Sequence, residues 1–179
     1  MNPMKLLKVL LAAIGGIVAL FIVVGFFLPS TSHVERSITI NAPAADVFAY
    51  LDDFRKFNEW SPWAGLDPDT VYTFEGPATG IGSTMHWSSD DPNVGEGTQE
   101  IIESVPHSRL VTALDFGAQG QAIATFELDE QAGATRITWM LDNDFGYNLM
   151  FRYFGLMMET WVGTSYEEGL AKLKMVVEA

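Results

Sequence analysis

The chain has 179 residues, no cysteine and a formal net charge of −13, and 48% of its residues are apolar. This length and composition fit one domain with a sizeable core plus an appendage, and they exclude a disordered chain. All 23 acidic residues follow Pro29, so the domain repels polyanions and nucleic acid is excluded as a partner.

The N-terminal segment is typical of a membrane anchor. Residues 9–28 carry no charged or strongly polar side chain, and a helix of that length spans roughly 30 Å, the thickness of a bilayer's hydrocarbon core. Lys5 and Lys8 precede this run, so the positive-inside rule predicts a cytoplasmic N-terminus and an extracytoplasmic domain, periplasmic in a Gram-negative cell. A cleaved signal peptide is the alternative, but the apolar run exceeds the usual ~7–15 residues and no small-x-small cleavage site follows. We therefore predict a single-pass anchor over residues 5–28.

After a short polar linker at residues 29–32, side-chain alternation predicts a strand-rich domain over residues 33–178. A strand and a helix come first, followed by six short alternating segments that are separated by turns rich in Gly, Pro and Asp. A long helix follows, because apolar residues then recur at helical spacing. The elements in order are a strand at 33–42, a helix at 41–54, strands at 70–76, 82–89, 97–105, 109–117, 121–129 and 134–142, and a helix at 148–177. Such short connections predict an antiparallel meander.

Three stretches resemble the START-like or SRPBCC superfamily, specifically its polyketide cyclase/dehydrase-like branch. They are HVERSITINAPAADVFAYLDDF from residue 33, FNEWSPW from residue 57 and FRYFGLMMETWVGTSYEEGLAKLK from residue 151. The resemblance covers residues 33 to about 176 and implies an α+β helix-grip fold, here preceded by one transmembrane helix. In that fold a curved antiparallel sheet wraps around a long C-terminal helix and leaves an apolar cavity between them. The superfamily includes lipid carriers, hormone receptors and aromatase/cyclases, so the resemblance leaves the function open.

The Trp-Ser-Pro-Trp turn is expected where the chain crosses the open end of that sheet. Pro62 ends the preceding helix, so Trp60 and Trp63 are expected to bury against the sheet and the C-terminal helix. A structural plug is the favoured interpretation and ligand contact the alternative, because aromatic clusters more often form core than binding sites.

The sequence offers no catalytic constellation. It has no cysteine, no G-x-S-x-G nucleophile elbow and no G-x-G-x-x-G nucleotide loop. His33, His86 and His107 are dispersed and lack the spacing of a zinc site, and the acidic turns at 90–96 and 142–146 do not continue into a calcium loop. We therefore predict no catalytic residue, no metal and no cofactor.

The predicted ligand site is the cavity between the sheet and the long helix. Strand alternation and helical spacing select an apolar lining rich in Met and Trp, which suits an irregular apolar ligand because such a lining is deformable. The residues selected are Trp63, Met85, Trp87, Phe126, Trp139, Met157 and Trp161. The same pattern is compatible with an open cavity and with a packed core.

Two further features need partners. Arg36 shares the apolar side of its strand, so we expect it to reach solvent, with Glu75 or Glu100 as alternative carboxylate partners. Residues 149–162 of the long helix are apolar on nearly every side, which exceeds what packing on a sheet requires. We expect this half to contact the Trp-Ser-Pro-Trp turn, with the membrane face or a second subunit as the alternatives.

The leading hypothesis is a membrane-tethered domain that binds a small apolar or amphipathic, lipid-like ligand. One alternative is a polyketide cyclase/aromatase-like enzyme whose cavity orients a reactive substrate, and another is a packed domain used for protein contacts. Acid and base residues facing an open cavity would favour the enzyme, whereas an apolar cavity without them favours binding. The oligomeric state and the identity of the ligand stay open at this stage.

Overall fold

The computed structural model describes residues 3–179, which form a long N-terminal helix, a seven-stranded antiparallel sheet and three further α-helices. The helices are α1 (Pro3–Phe27), α2 (Ala44–Phe48), α3 (Phe54–Trp60) and α4 (Leu149–Val177). The strands are β1 (Thr31–Ile40), β2 (Val71–Glu75), β3 (Thr84–Ser88), β4 (Glu96–Val105), β5 (Arg109–Asp115), β6 (Gln121–Gln131) and β7 (Ala134–Asp144). The predicted fold class, α+β with a helix-grip arrangement, is confirmed.

The sheet is a meander that β1 extends at one edge. Its order is β1-β7-β6-β5-β4-β3-β2, and every neighbouring pair is antiparallel. Val34 pairs with Leu141 and Leu141 pairs with Ala124, and all three side chains are buried. Because paired residues point to the same side of a sheet, this row identifies the inner face, which α4 covers. We call the opposite side the outer face.

Two boundaries differ from the prediction. The helix predicted over 41–54 is two helices, because the chain turns before Asp53, whose side chain then accepts a hydrogen bond from the backbone of the first turn of α3 (2.9 Å). Strand β1 begins at Thr31, inside the predicted linker, since Thr31 pairs with Asp144 at the end of β7. Only residues 28–30 therefore separate α1 from the sheet.

Helix α4 packs along β1 and over Trp139 of β7. Its N-terminus is capped by Asn148, whose side chain accepts a hydrogen bond from the Phe151 N–H (3.2 Å). The close approach of α4 to Pro62 and Trp139 depends on Gly169, because a Cβ added there would lie 2.9 Å from Pro62 Cδ and 3.1 Å from Trp139 Cζ3. The buried residues of α4 are Arg152, Gly163, Tyr166, Gly169, Leu170 and Leu173.

Arg36 has carboxylate partners on α4 instead of the alternatives expected from sequence. Its Nη1 donates to Glu159 (2.8 Å) and its Nε donates to Glu167 (2.6 Å). Glu75 and Glu100 are out of reach because β2 and β4 lie towards the other side of the sheet, whereas β1 lies directly under α4. The two ion pairs clamp β1 to α4.

Helix α1 projects from the domain, with every described residue exposed except Gly25. Within residues 3–179, α1 is the one helix long and apolar enough to cross a membrane. Its C-terminal end packs against the first turns of α4.

Candidate functional site

The interior between the sheet and α4 is a cluster of aromatic rings centred on Trp139. Tyr166 of α4 stacks on Trp139, with ring centroids 3.6 Å apart and planes at 10°. Phe126 of β6 stacks on Trp139 at 5.1 Å, while Trp60 and Trp63 meet its edge at 5.2 and 5.8 Å. These contacts follow from the register, since Phe126 and Trp139 are directly paired on the inner face. In this region the interior is filled by side chains.

One polar atom in this cluster lacks a partner. Trp139 is 2% exposed, yet its indole Nε1–H has no hydrogen-bond partner among residues 3–179. Trp60, equally buried, donates its Nε1–H to the Tyr50 carbonyl at 3.0 Å. A buried donor left unpaired costs about 1–3 kcal/mol, and the Trp139 N–H is free to donate to an acceptor atom.

A second polar feature lies further along the inner face. Gln99 of β4 and Thr112 of β5 are both buried, and the Gln99 amide donates to the Thr112 hydroxyl at 2.9 Å. Nearby on β3, Met85 is buried and its sulfur accepts a hydrogen bond from the Asn58 amide at 3.3 Å. The next inward residue of β3, Trp87, is half-buried. This end of the interior is therefore apolar with a few placed polar groups, as ligand sites commonly are.

The seven residues selected from sequence fall in three places. Trp63, Phe126 and Trp139 meet in the aromatic cluster, with Trp63 37% exposed at its edge. Met85 and Trp87 lie on β3 on the inner face, where Trp87 contacts Phe116 at a ring distance of 5.8 Å. The remaining two lie on the side of α4 away from the core, where both are exposed: Met157 and Trp161.

Sequence reasoning did not select Tyr166 or Gln99. Tyr166 lies on the apolar stripe of the long helix, but its stacking on Trp139 depends on which side of α4 faces the sheet. Gln99 precedes Ile101 by two positions on β4, so a polar residue in an inward-facing position was the available signal. Burial raises the pKa of the Tyr166 phenol well above its usual value, so this group stays protonated.

Two depressions form on the outer face of the sheet. The larger, about 760 Å³, is lined by the cross-strand row His33, Asp142, Ile123, Ala113 and Glu100. Asp142 accepts a hydrogen bond from the His33 Nδ1–H at 2.7 Å, which raises the pKa of His33 above 6.5. The smaller depression, about 460 Å³, lies beside charged residues on the same face. Neither depression lies between the sheet and α4.

The described residues also bear on metal binding. Within residues 3–179 there is no group of three or more His, Asp or Glu side chains placed to hold a metal ion. The inner face around Trp139 and Gln99 carries aromatic rings, one unpaired indole N–H and a neutral amide–hydroxyl pair, and the Arg36 guanidinium, paired with Glu159 and Glu167, lies at its β1 edge.

Solved structures with the same fold come from several bacteria. A Thermobifida fusca protein is 20% identical, with 81% of this chain and 92% of that chain covered and a TM-score of 0.61. CalU16 from Micromonospora echinospora is 14% identical, with 82% of this chain and 82% of that chain covered and a TM-score of 0.54. The Aha1 dimer from Colwellia psychrerythraea is 15% identical, with 82% of this chain and 96% of that chain covered and a TM-score of 0.56. At these identities the likeness shows the fold alone. No curated protein matches the chain.

A family match covers nearly the whole domain. Residues 31–178 match the family described as polyketide cyclase/dehydrase and lipid transport. That description joins proteins that act on or carry small molecules, in agreement with a ligand-binding SRPBCC domain. The resemblance expected from the three sequence stretches is confirmed. The chain belongs to the polyketide cyclase/dehydrase and lipid transport family.

Proposed function

We propose that this protein is a membrane-anchored domain that binds an apolar or amphipathic ligand between the sheet and α4. The ligand carries an oxygen that accepts a hydrogen bond from Trp139. The single observation that carries the proposal is the buried indole N–H of Trp139, which lacks a partner inside an aromatic cluster. A carbonyl or hydroxyl oxygen at this point would remove the cost of the unpaired donor, and the apolar body would occupy the space that Trp63 vacates at the edge of the cluster.

Trp63 supplies the route to this site. It is the exposed member of the cluster, and its ring lies edge-on to Trp139 (5.8 Å) and Tyr166 (6.1 Å). The turn that carries it is held in place, because Ser61 and Pro62 are buried. A rotamer change of Trp63 alone would therefore uncover the edge of the cluster.

The anchor is argued from the contacts of Arg152. This residue is 9% exposed, and its Nη1 lies within 3.3–3.5 Å of the carbonyl oxygens of Gly25, Phe26 and Leu28. These contacts cover the guanidinium and link α1 to the domain, and removal of α1 as a signal peptide would lose them. We therefore propose that α1 is retained and spans the membrane, with a cytoplasmic N-terminus and an extracytoplasmic domain.

The polar groups on the inner face favour binding over a cyclase-like reaction. Proton transfer in such a reaction needs groups that exchange a proton near neutral pH. The buried groups found here are an amide, an alcohol and a phenol whose pKa is raised well above its usual value, and the carboxylates of Glu159 and Glu167 at the β1 edge are paired with Arg36. These groups can orient a bound molecule by hydrogen bonding.

The test uses two flat probes that differ in one oxygen. Fluorenone carries a carbonyl acceptor, and fluorene has the same ring frame without it. Each is added to the full chain, labelled with nitrogen-15 and held in lipid nanodiscs, while the indole N–H resonances of the five tryptophans are followed. The Trp139→Phe variant identifies the Trp139 resonance.

We expect fluorenone to shift the Trp139 indole resonance downfield, as a new hydrogen bond does, and fluorene to leave its proton shift nearly unchanged. The exposed Trp161 serves as the internal control for probe dissolved in the lipid. Equal responses of Trp139 to both probes, or no response while Trp161 responds, would contradict the proposed acceptor site.

A further inference from the structure

The outer side of α4 carries an apolar stripe that nothing in the domain covers. Its members follow helical spacing on the side opposite Tyr166 and Leu170, and their exposure ranges from 39% to 55%. They are Met150, Phe154, Met157 and Trp161, which we call the outer stripe. Four large exposed apolar side chains in one row mark an interaction surface.

The outer stripe is continuous with the surface that meets α1. Tyr153 lies between Met150 and Met157 on the helix surface, three and four positions away. Its ring stacks on Phe21 (centroids 4.2 Å apart), and its hydroxyl donates to the Phe21 carbonyl at 2.7 Å. The stripe therefore begins where the anchor helix touches the domain.

The two helices overlap at this junction. A Cβ added at Gly25 would lie 3.3 Å from Leu149 Cβ and 3.2 Å from the Tyr153 ring, while Phe21, one turn earlier in α1, also meets Tyr153. Tyr153 meets α1 over one turn, from Phe21 to Gly25. The first turns of α4 thus lie beside the last turns of the anchor instead of beyond them.

The outer side of α4 becomes polar after Trp161. On the same side, the positions that follow are Thr164, Glu168 and Lys172, all exposed. Tryptophan is enriched where apolar and aqueous surroundings meet at a membrane, and Trp161 occupies that boundary here. The stripe itself contains no cationic residue, so its partner is recognised by apolar burial instead of charge.

We propose that the outer stripe lies in the membrane surface, with α4 resting on the lipid beside α1. This inference depends on the proposed role of α1 as a membrane-spanning helix. In this arrangement the first half of α4 is an interfacial helix. Its apolar outer side is buried in lipid, and the sheet lies on the side of α4 away from the membrane. A ligand taken from the bilayer would then meet the domain at the helix that forms its binding site.

Labelled cysteines test this placement. The chain has no cysteine, so each single-cysteine variant of the full chain carries one fluorescent label. The stripe variants are Phe154→Cys and Met157→Cys, and the matched control on the same side is Glu168→Cys. Val18→Cys reports on α1. Each labelled chain is reconstituted in phosphatidylcholine vesicles, with and without lipids that carry a nitroxide quencher on the acyl chain.

We expect strong quenching at Val18, Phe154 and Met157, several-fold greater than at Glu168, and the same result in low and high salt. Quenching at Val18 without quenching at the stripe would overturn this inference and leave the anchor intact. An unquenched Val18 would remove the membrane-spanning role of α1 and this inference with it. Self-quenching at Met157 that disappears on dilution with unlabelled chain would identify a second copy as the partner and would also overturn the inference.

Discussion

The ring of Tyr153 stacks on the ring of Phe21 at 4.2 Å with planes 11° apart, and the Tyr153 hydroxyl donates to the Phe21 carbonyl oxygen. The preceding residue, Arg152, donates to carbonyls at the C-terminal end of the same helix. Two adjacent residues of α4 thus hold the side and the end of α1. The position of the domain relative to α1 is set by these contacts as well as by the short connection at residues 28–30.

Replacing Arg152 with methionine keeps an apolar stem and removes the guanidinium. The carbonyls at the end of α1 and that of Gly146 then lose a charged donor, and such bonds contribute about 1.5–3 kcal/mol. We expect a loss of that order in the free energy of unfolding and faster proteolysis at residues 28–30. Both are measured on the full chain in nanodiscs. Arg136→Met is the matched control, because Arg136 is exposed and bonds only to Ser37 in the described structure. If the two variants behave alike, Arg152 does not hold α1.

The two buried tryptophans predict different responses to the same change. Trp60→Phe removes the indole N–H that donates to the Tyr50 carbonyl, so that carbonyl loses its hydrogen bond from residue 60. Trp139→Phe removes an indole N–H that has no partner in the described residues. Both changes remove similar apolar volume. We therefore expect Trp60→Phe to destabilise the domain more, by about 1–3 kcal/mol, in denaturant unfolding. The opposite order would mean that Trp139 is paired in solution.

The close approach of α4 to the Trp-Ser-Pro-Trp turn predicts the effect of Gly169→Ala. The added methyl meets the Pro62 ring at 2.9 Å and the Trp139 ring at 3.1 Å, and neither ring can move freely. We expect a loss of about 1–3 kcal/mol in unfolding free energy, larger than the helix-propensity gain of about 1 kcal/mol.

Gly163→Ala is the matched control for that substitution. Its added methyl would meet the guanidinium of Arg36, which can give way by lengthening its ion pairs with the exposed Glu159 and Glu167, and such pairs contribute little, so the helix-propensity gain offsets more of the cost. Thermal unfolding of the two variants provides the comparison. If Gly169→Ala and Gly163→Ala have equal melting temperatures, the Pro62 and Trp139 rings move aside for the added methyl without a measurable cost.

The His33–Asp142 pair predicts a pH dependence of stability. Hydrogen bonding to Asp142 raises the pKa of His33 in the folded chain above its ordinary value of 6.5. The pair therefore stabilises the fold fully below the unfolded pKa, and this contribution is lost as pH rises through the folded pKa. We expect Asp142→Asn to lower the His33 pKa, measured by NMR titration, and to flatten stability against pH in that window. If the pKa of His33 is the same in Asp142→Asn as in the unmodified chain, this hydrogen bond is not the cause of the raised pKa.

Most of the fold was predictable because the signals are local. Strand alternation placed Phe126 and Trp139 on one face, and helical spacing placed the last helix at 148–177, one residue from its observed start. The helix predicted at 41–54 was wrong as one element, since Asp53 caps a new helix after a turn. A side chain such as that of Asp53 can either continue a helix or cap a new one. Which of the two occurs depends on the direction that the backbone takes in the folded domain.

The site was predictable in part. Periodicity shows that the first half of α4 is apolar all round, so it does not decide which side faces the sheet, and Met157 and Trp161 lie on the far side. That side is set by tertiary contacts such as the stacking of Tyr166 on Trp139. Whether an indole N–H finds an acceptor is likewise decided by neighbours distant in sequence, so the free donor of Trp139 has no sequence signal.

Native mass spectrometry of the full chain, extracted in mild detergent from the membrane of its own host, tests the proposed ligand site most directly. We expect one bound apolar molecule per chain, released on denaturation, and a lower occupancy in Trp139→Phe because the donor is lost. A chain without bound ligand in both preparations, while a lipid carrier purified in the same way keeps its ligand, would contradict ligand binding between the sheet and α4.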